Sequence, residues 1–279
     1  MRVLVGLSLA LALTACDPVG MPYGNGPMAT AAAPEMAVAP PMSRPTLTAV
    51  TSDGVTVHGN IWQRFRNTGE HPTLLLFHQG GSNADGEYSE IAEWLASEGF
   101  DVITWDSRAG GELYGGENLT VKTLPDGVPS GFCDALPDLL AAVDEAERNG
   151  FGDRGFILWG SSYTGALVFH AAAERPDVTE GVIAFSPASG GAMRSCLAIE
   201  RAAEVKAPML ALNPPSEIAR PTAAEQREQL EALGARYIIP ENGIHGSSML
   251  VDERTEADMS ALRAEVLEWL KGIGGSGES

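Results

Sequence analysis

From residue 73 to residue 271, short apolar runs alternate with longer segments of helical periodicity. No other feature of the sequence restricts the fold as strongly. The runs are 73–78, 101–106, 156–159, 182–186, 208–213 and 235–240. A near-continuous apolar run suits a strand buried on both faces, the usual state of a parallel strand. Between the runs, residues 87–98 place Ile91, Trp94 and Leu95 at helical spacing. Residues 132–149 do the same with Leu136, Leu139, Leu140 and Val143, and 255–271 with Met259, Leu262, Val266 and Leu267. Segments 166–173 and 222–233 complete the helical set, and Gly99 and Gly234 stand as C-terminal stops. Such alternation requires a largely parallel sheet covered on both faces. The predicted fold is α/β, a mostly parallel doubly wound sheet, with a ligand site outside the carboxyl ends of its strands. Residues 47–52 and 55–64, joined by Asp53-Gly54, predict an antiparallel hairpin at its start. The domain is expected to span 46–272, with no internal repeat and little room for a large lid. The Gly/Ser tail 273–279 is expected to be disordered.

Chemistry concentrates around Ser162. Phe156 to Trp159 reads as a strand, Gly160 and Gly165 bracket a tight turn, and a helix follows at once. Such a turn holds one serine on a strained corner, its hydroxyl over the sheet edge, with a helix N-terminus facing developing negative charge. Strand and helix pass so closely that only small neighbours fit, here Gly160, Thr164 and Gly165. That register makes Ser162 the nucleophile, not Ser161. Gly160-Ser161-Ser162-Tyr163-Thr164-Gly165 resembles the nucleophile elbow of the α/β-hydrolases, with Thr164 where that family more often has glycine. Alone, the stretch also fits an ordinary Ser/Gly turn.

A serine hydroxyl needs a base at neutral pH, and the base needs an orienting acid. The resemblance implies the chain order serine, acid, histidine. His245, after the run 235–240, is the only histidine beyond the elbow helix and takes the place of the base. Glu217, after the run 208–213, takes the place of the acid, although the family more often has Asp after a glycine-containing turn. Asp252 is the alternative, out of family order. For the oxyanion the resemblance implies two N–H donors. One is that of Tyr163; the other comes from His78-Gln79-Gly80-Gly81, assigned to Gly80 with Gln79 as alternate. His78 is expected to order that loop. Asp106 and Arg108 are expected to form a structural ion pair, and His58, His71 and His170 to be structural or exposed.

The N-terminus carries an address. Arg2 precedes an apolar run to Ala12 that is too short to span a bilayer comfortably, followed by Leu13-Thr14-Ala15-Cys16. This ending resembles a bacterial lipobox, which implies a signal peptide over 1–15 and lipid attachment at Cys16. Residues 16–45, rich in Pro, Ala, Gly and Met, read as a disordered tether. The protein is thus expected to be lipid-anchored in the cell envelope, facing the periplasm or exterior. Asp17 favours the inner membrane by the pattern of enteric lipoproteins. In an oxidising compartment the remaining Cys133 and Cys196 would either bridge or stay as two buried thiols. Neither cysteine has His/Cys neighbours at zinc-ligand spacing, and no metal or organic cofactor is predicted. A net charge of −19, with no basic patch, argues against a nucleic-acid partner.

The resemblance covers 47–271, with three separated motifs in family order, each after a strand. It is nearest to the compact dienelactone hydrolase-like and prolyl oligopeptidase-like members. It implies a serine hydrolase acting on a small-molecule acyl substrate, a carboxylic ester first, with thioesters and small amides within its range. A serine peptidase on the same fold would want a larger gating domain. A catalytically silent binding lipoprotein is the reading from another class, kept open by Thr164, Gln79 and Glu217.

Overall fold

The computed structural model describes residues 44–63 and 70–274. The signal peptide 1–15, Cys16 and all but the end of the tether lie outside the described residues. Eight strands form one sheet: β1 (Thr46–Val50), β2 (Thr56–Trp62), β3 (Thr73–Phe77), β4 (Val102–Trp105), β5 (Phe156–Ser161), β6 (Thr179–Phe185), β7 (Met209–Leu212) and β8 (Arg236–Ile238). Their order is β1-β2-β4-β3-β5-β6-β7-β8. β1 and β2 are antiparallel, β2 is antiparallel to β4, and every later pair is parallel. Five longer helices cover it: α1 (Ala84–Ser97), α2 (Leu136–Arg148), α3 (Tyr163–Glu174), α4 (Pro221–Ala232) and α5 (Ser260–Gly274).

The apolar runs are buried on both faces because two cores flank the sheet. Along β3, Leu75 and Phe77 join Leu139 and Val143 of α2 and Leu167 of α3 in one core. Leu74 and Leu76 join Ile91 and Leu95 of α1 and Val266 and Leu270 of α5 in the other. The strand period of two thus sends alternate leucines to opposite layers, the doubly wound arrangement expected. Among the described residues no helix is long and apolar enough to cross a membrane.

Three local expectations are corrected. The closing helix begins at Ser260, because Glu256 takes a left-handed φ of 54° and ends a separate turn at Asp252–Thr255. It also runs on to Gly274, so residues 273 and 274 are helix and not tail. Within segment 112–131, Asn118 caps a helical turn at Leu119–Lys122. Finally, Arg108 does not pair with Asp106. It is buried and binds Asp138 through Nε at 2.9 Å and Nη2 at 2.7 Å, and Asp53 through Nη1 at 2.5 Å. Asp106 instead accepts the backbone N–H groups of Ala84 and Leu119, at 2.8 and 2.7 Å, fixing the starts of α1 and of the 119–122 turn.

Candidate active site

The chain leaves β5 and enters α3 across a single residue, Ser162. Its φ of 60° and ψ of −116° lie outside the regions an L-residue prefers, at a cost of about 1–3 kcal/mol. The glycines explain how the turn closes. A Cβ on Gly160 would lie 2.3 Å from the Thr164 carbonyl oxygen, and one on Gly165 would lie 3.0 Å from that of Phe185. Thr164, the departure from family pattern, has a use for its hydroxyl. Its Oγ1 accepts the Ser161 N–H at 2.8 Å and donates to the Phe77 carbonyl at 2.7 Å, locking the end of β5 to that of β3. Glycine could do neither. Tyr163 is the first residue of α3, so its N–H is among those the helix leaves unpaired.

Glu217 and His245 meet. His245 Nδ1–H donates to Glu217 Oε1 at 2.5 Å, an arrangement that turns Nε2 away from the acid as the nitrogen available to act as base. Glu217 sits in the turn Pro215–Ile218 just after β7, and Asn213 Nδ2 donates to its other oxygen at 2.7 Å. The Tyr237 hydroxyl of β8 donates to Asn213 Oδ1 and so orients that amide. Burial alone would raise the Glu217 carboxyl, but bonds from His245, Ser186 and Asn213 outweigh it and hold the group below its ordinary range. The elbow and the histidine loop share an anchor on the turn after β6. Ser162 N–H donates to the Phe185 carbonyl at 2.8 Å, and Ser186 Oγ accepts the Gly246 N–H at 3.0 Å. Asp252, the alternative acid, is engaged elsewhere: it binds Arg263 and caps the Met259 N–H.

The loop after β3 is equally fixed. His78 is fully buried; its Nε2 accepts the Ser107 N–H at 2.8 Å, so Nδ1–H donates to the Gln79 carbonyl at 2.8 Å. Burial pushes its pKa down to about 4, so the ring is neutral. The Gln79 N–H points away from the elbow and donates to Glu87 Oε2 at 2.6 Å, which removes it as the alternate oxyanion donor. Gly80 backs directly on the elbow: a Cβ there would lie 2.9 Å from the Phe132 ring and 3.8 Å from that of Tyr163. Cys133, next to Phe132, is joined to Cys196 in a disulfide, tying segment 112–135 to the segment after β6. Among the described residues, no group of three or more His, Cys, Asp or Glu side chains could hold a metal ion.

Sequence reasoning missed the groups that hold these loops: Glu87, Ser161, Ser186, Asn213 and Tyr237. Glu87 alone left a signal. It lies four residues before Ile91 and eight before Leu95, on the buried face of α1.

The family follows from comparison. A model described as serine aminopeptidase, S33, matches residues 69–244. The chain belongs to the serine aminopeptidase S33 family. This S33 chain is thereby a serine hydrolase of α/β fold. No curated protein matches it. Solved structures share the fold at low identity. The Pyrococcus furiosus esterase aligns with a TM-score of 0.59 and 16% identity, over 84% of this chain and 91% of the esterase. A Klebsiella pneumoniae protein assigned as a dienelactone hydrolase aligns with a TM-score of 0.59 and 16% identity, over 84% of this chain and 99% of that one. Pyrococcus horikoshii acylaminoacyl peptidase aligns with a TM-score of 0.57 and 18% identity, over 81% of this chain and 41% of the peptidase. The chain therefore spans about two fifths of that peptidase.

Proposed function

We propose that this S33 chain hydrolyses carboxylic esters through an acyl-enzyme on Ser162. The Glu217–His245 bond, together with a serine held in a left-handed corner at a helix N-terminus, carries the reading. His245 Nε2 takes the Ser162 hydroxyl proton as Oγ attacks the ester carbonyl, and Glu217 stabilises the imidazolium formed. The tetrahedral oxyanion sits on the Tyr163 and Gly80 N–H groups, each contributing about 3 kcal/mol to the barrier reduction. The imidazolium then gives its proton to the departing alkoxide. Water, deprotonated by His245 in the second half, releases the acid and restores Ser162. A compact domain whose fold is shared over 91% of an esterase favours a small acyl substrate.

Peptide bonds are the second reading, favoured by the S33 family match. Both fall to one assay on the full chain: p-nitrophenyl acetate and butyrate beside aminoacyl p-nitroanilides, with Ser162→Ala, His245→Ala and Glu217→Gln in parallel. The expected result is ester turnover well above anilide turnover, with Ser162→Ala and His245→Ala down by about 10⁴-fold or more. Faster anilide cleavage would move the assignment to peptidase. No turnover of either would leave the binding-protein reading. The address is proposed as a lipid-anchored envelope protein; the Cys133–Cys196 bridge supports an oxidising compartment. Cys16→Ser releasing the chain from the membrane fraction is the expected outcome.

A further inference from the structure

The triad mechanism leaves one buried acid unused. Glu87 is fully buried on α1, and its two oxygens reach different loops. Oε2 accepts the Gln79 N–H at 2.6 Å, and Oε1 accepts the Ser161 hydroxyl at 2.5 Å. Ser161 Oγ in turn accepts the Ser247 N–H at 2.9 Å. Gln79 immediately precedes Gly80, Ser161 immediately precedes Ser162, and Ser247 follows His245 by two residues. One carboxyl group is therefore bonded, directly or through one hydroxyl, to all three loops the reaction needs. The backbone is shaped to permit it. Gly246 takes a φ of 73°, and a Cβ there would lie 2.5 Å from Ser161 Oγ, so only glycine lets the histidine loop approach the elbow this closely. A buried acid is costly, and an apolar residue at 87 would avoid that cost while stranding the Gln79 N–H and the Ser161 hydroxyl.

We propose that Glu87 is a positioning residue whose carboxyl group holds the Gly80 loop, the Ser162 elbow and the His245 loop in register. The proposal rests on the hydrolase reading above for its catalytic consequence. Burial raises the Glu87 pKa to about 7, against the lowering effect of its two hydrogen bonds and of Arg254 and His245. Arg254 binds the carbonyls of Gly86 and Glu87 from the turn after the histidine loop, and the phenols of Tyr88 and Tyr163 face the same region as neutral groups. The tie survives protonation: a neutral carboxyl still accepts from Gln79 and donates to Ser161 Oγ. Glutamine reproduces that neutral pattern, with its amide oxygen on Gln79 and its NH₂ on Ser161.

The test uses the full chain, Glu87→Gln and Glu87→Leu, with ester turnover and the amide resonances of Gln79 and Ser247 followed from pH 5 to 9. In the wild type both amides should show a shift with one common midpoint near pH 7, close to the raised value of this carboxyl, and that shift should vanish in Glu87→Gln, which keeps His245. Glu87→Leu should lose kcat by about 10²-fold, the effect of a misplacement of about 1 Å, with KM within about threefold, and Glu87→Gln should recover most of kcat. Glu87→Leu with wild-type kcat, or amides with separate midpoints or none, overturns the proposal. If Glu87→Leu does not fold, the wild-type amide titration decides. A wild type without turnover refutes the hydrolase reading alone, and the amides still show whether the carboxyl joins the loops.

Discussion

Phe132 stacks on Tyr163, with ring centroids 4.8 Å apart and planes 16° from parallel. The same ring touches the space a Gly80 Cβ would fill, so it walls both proposed oxyanion donors on one side. Phe132 is 37% exposed, which makes it a lining residue and not a core one. Phe132→Ala is expected to lower kcat/KM for p-nitrophenyl butyrate about tenfold. Its urea stability should change by only about 1 kcal/mol, the scale of an aromatic pair. Unchanged kinetics would put the ring outside the substrate path.

Phe132 immediately precedes a cysteine held in a disulfide. Cys133 and Cys196 close a loop of sequence separation 63. Replacing both with serine is expected to lower unfolding free energy by about 2–4 kcal/mol. Denaturation with and without reductant checks this; wild type and variant should coincide once the bridge is reduced.

Arg108 and Asp138 are both fully buried, while Asp53 is 39% exposed at its side chain. Removing Arg108 strands a buried carboxylate, so Arg108→Met should cost about 3–5 kcal/mol. Asp53→Asn leaves the Asp138 pair intact and should cost about 1 kcal/mol or less. Equal losses in urea titrations would contradict this ranking.

Glu87 should also mark the pH dependence of stability. Its folded value is about 7 against an ordinary 4.5, so its contribution is full below 4.5 and is lost as pH rises through 7. Asp106, raised by burial to about 6, acts in the same direction. His78, lowered by burial to about 4, acts oppositely: its contribution is present above 6.5 and lost as pH falls through 4. The difference between wild type and Glu87→Gln isolates the first term. From pH 5 to 8 the wild type should lose roughly 3 kcal/mol relative to the variant. A flat difference would mean that Glu87 titrates normally.

The sequence made the sheet legible because each buried strand is a run whose polar neighbours sit in loops. Ser162, Glu217 and His245 could be named as candidates because each follows such a run. What escaped were partners distant in sequence. Glu87 and Ser161 are 74 residues apart, and Ser161 and Ser247 are 86 apart. No periodicity or local motif links such positions. Arg108 was misassigned for the same reason. Asp106 is its near neighbour in sequence, but the strand end points the two side chains to different elements. Thr164 looked like a defect in the motif until its hydroxyl was seen to bridge two strand ends.

Covalent labelling tests the central claim most directly. The full chain would be treated with a fluorophosphonate probe and the adduct located by peptide mass spectrometry. The account predicts a single adduct on Ser162, abolished in Ser162→Ala and strongly slowed in His245→Ala. An adduct on Ser161 or elsewhere, or no adduct on a folded chain, would contradict it.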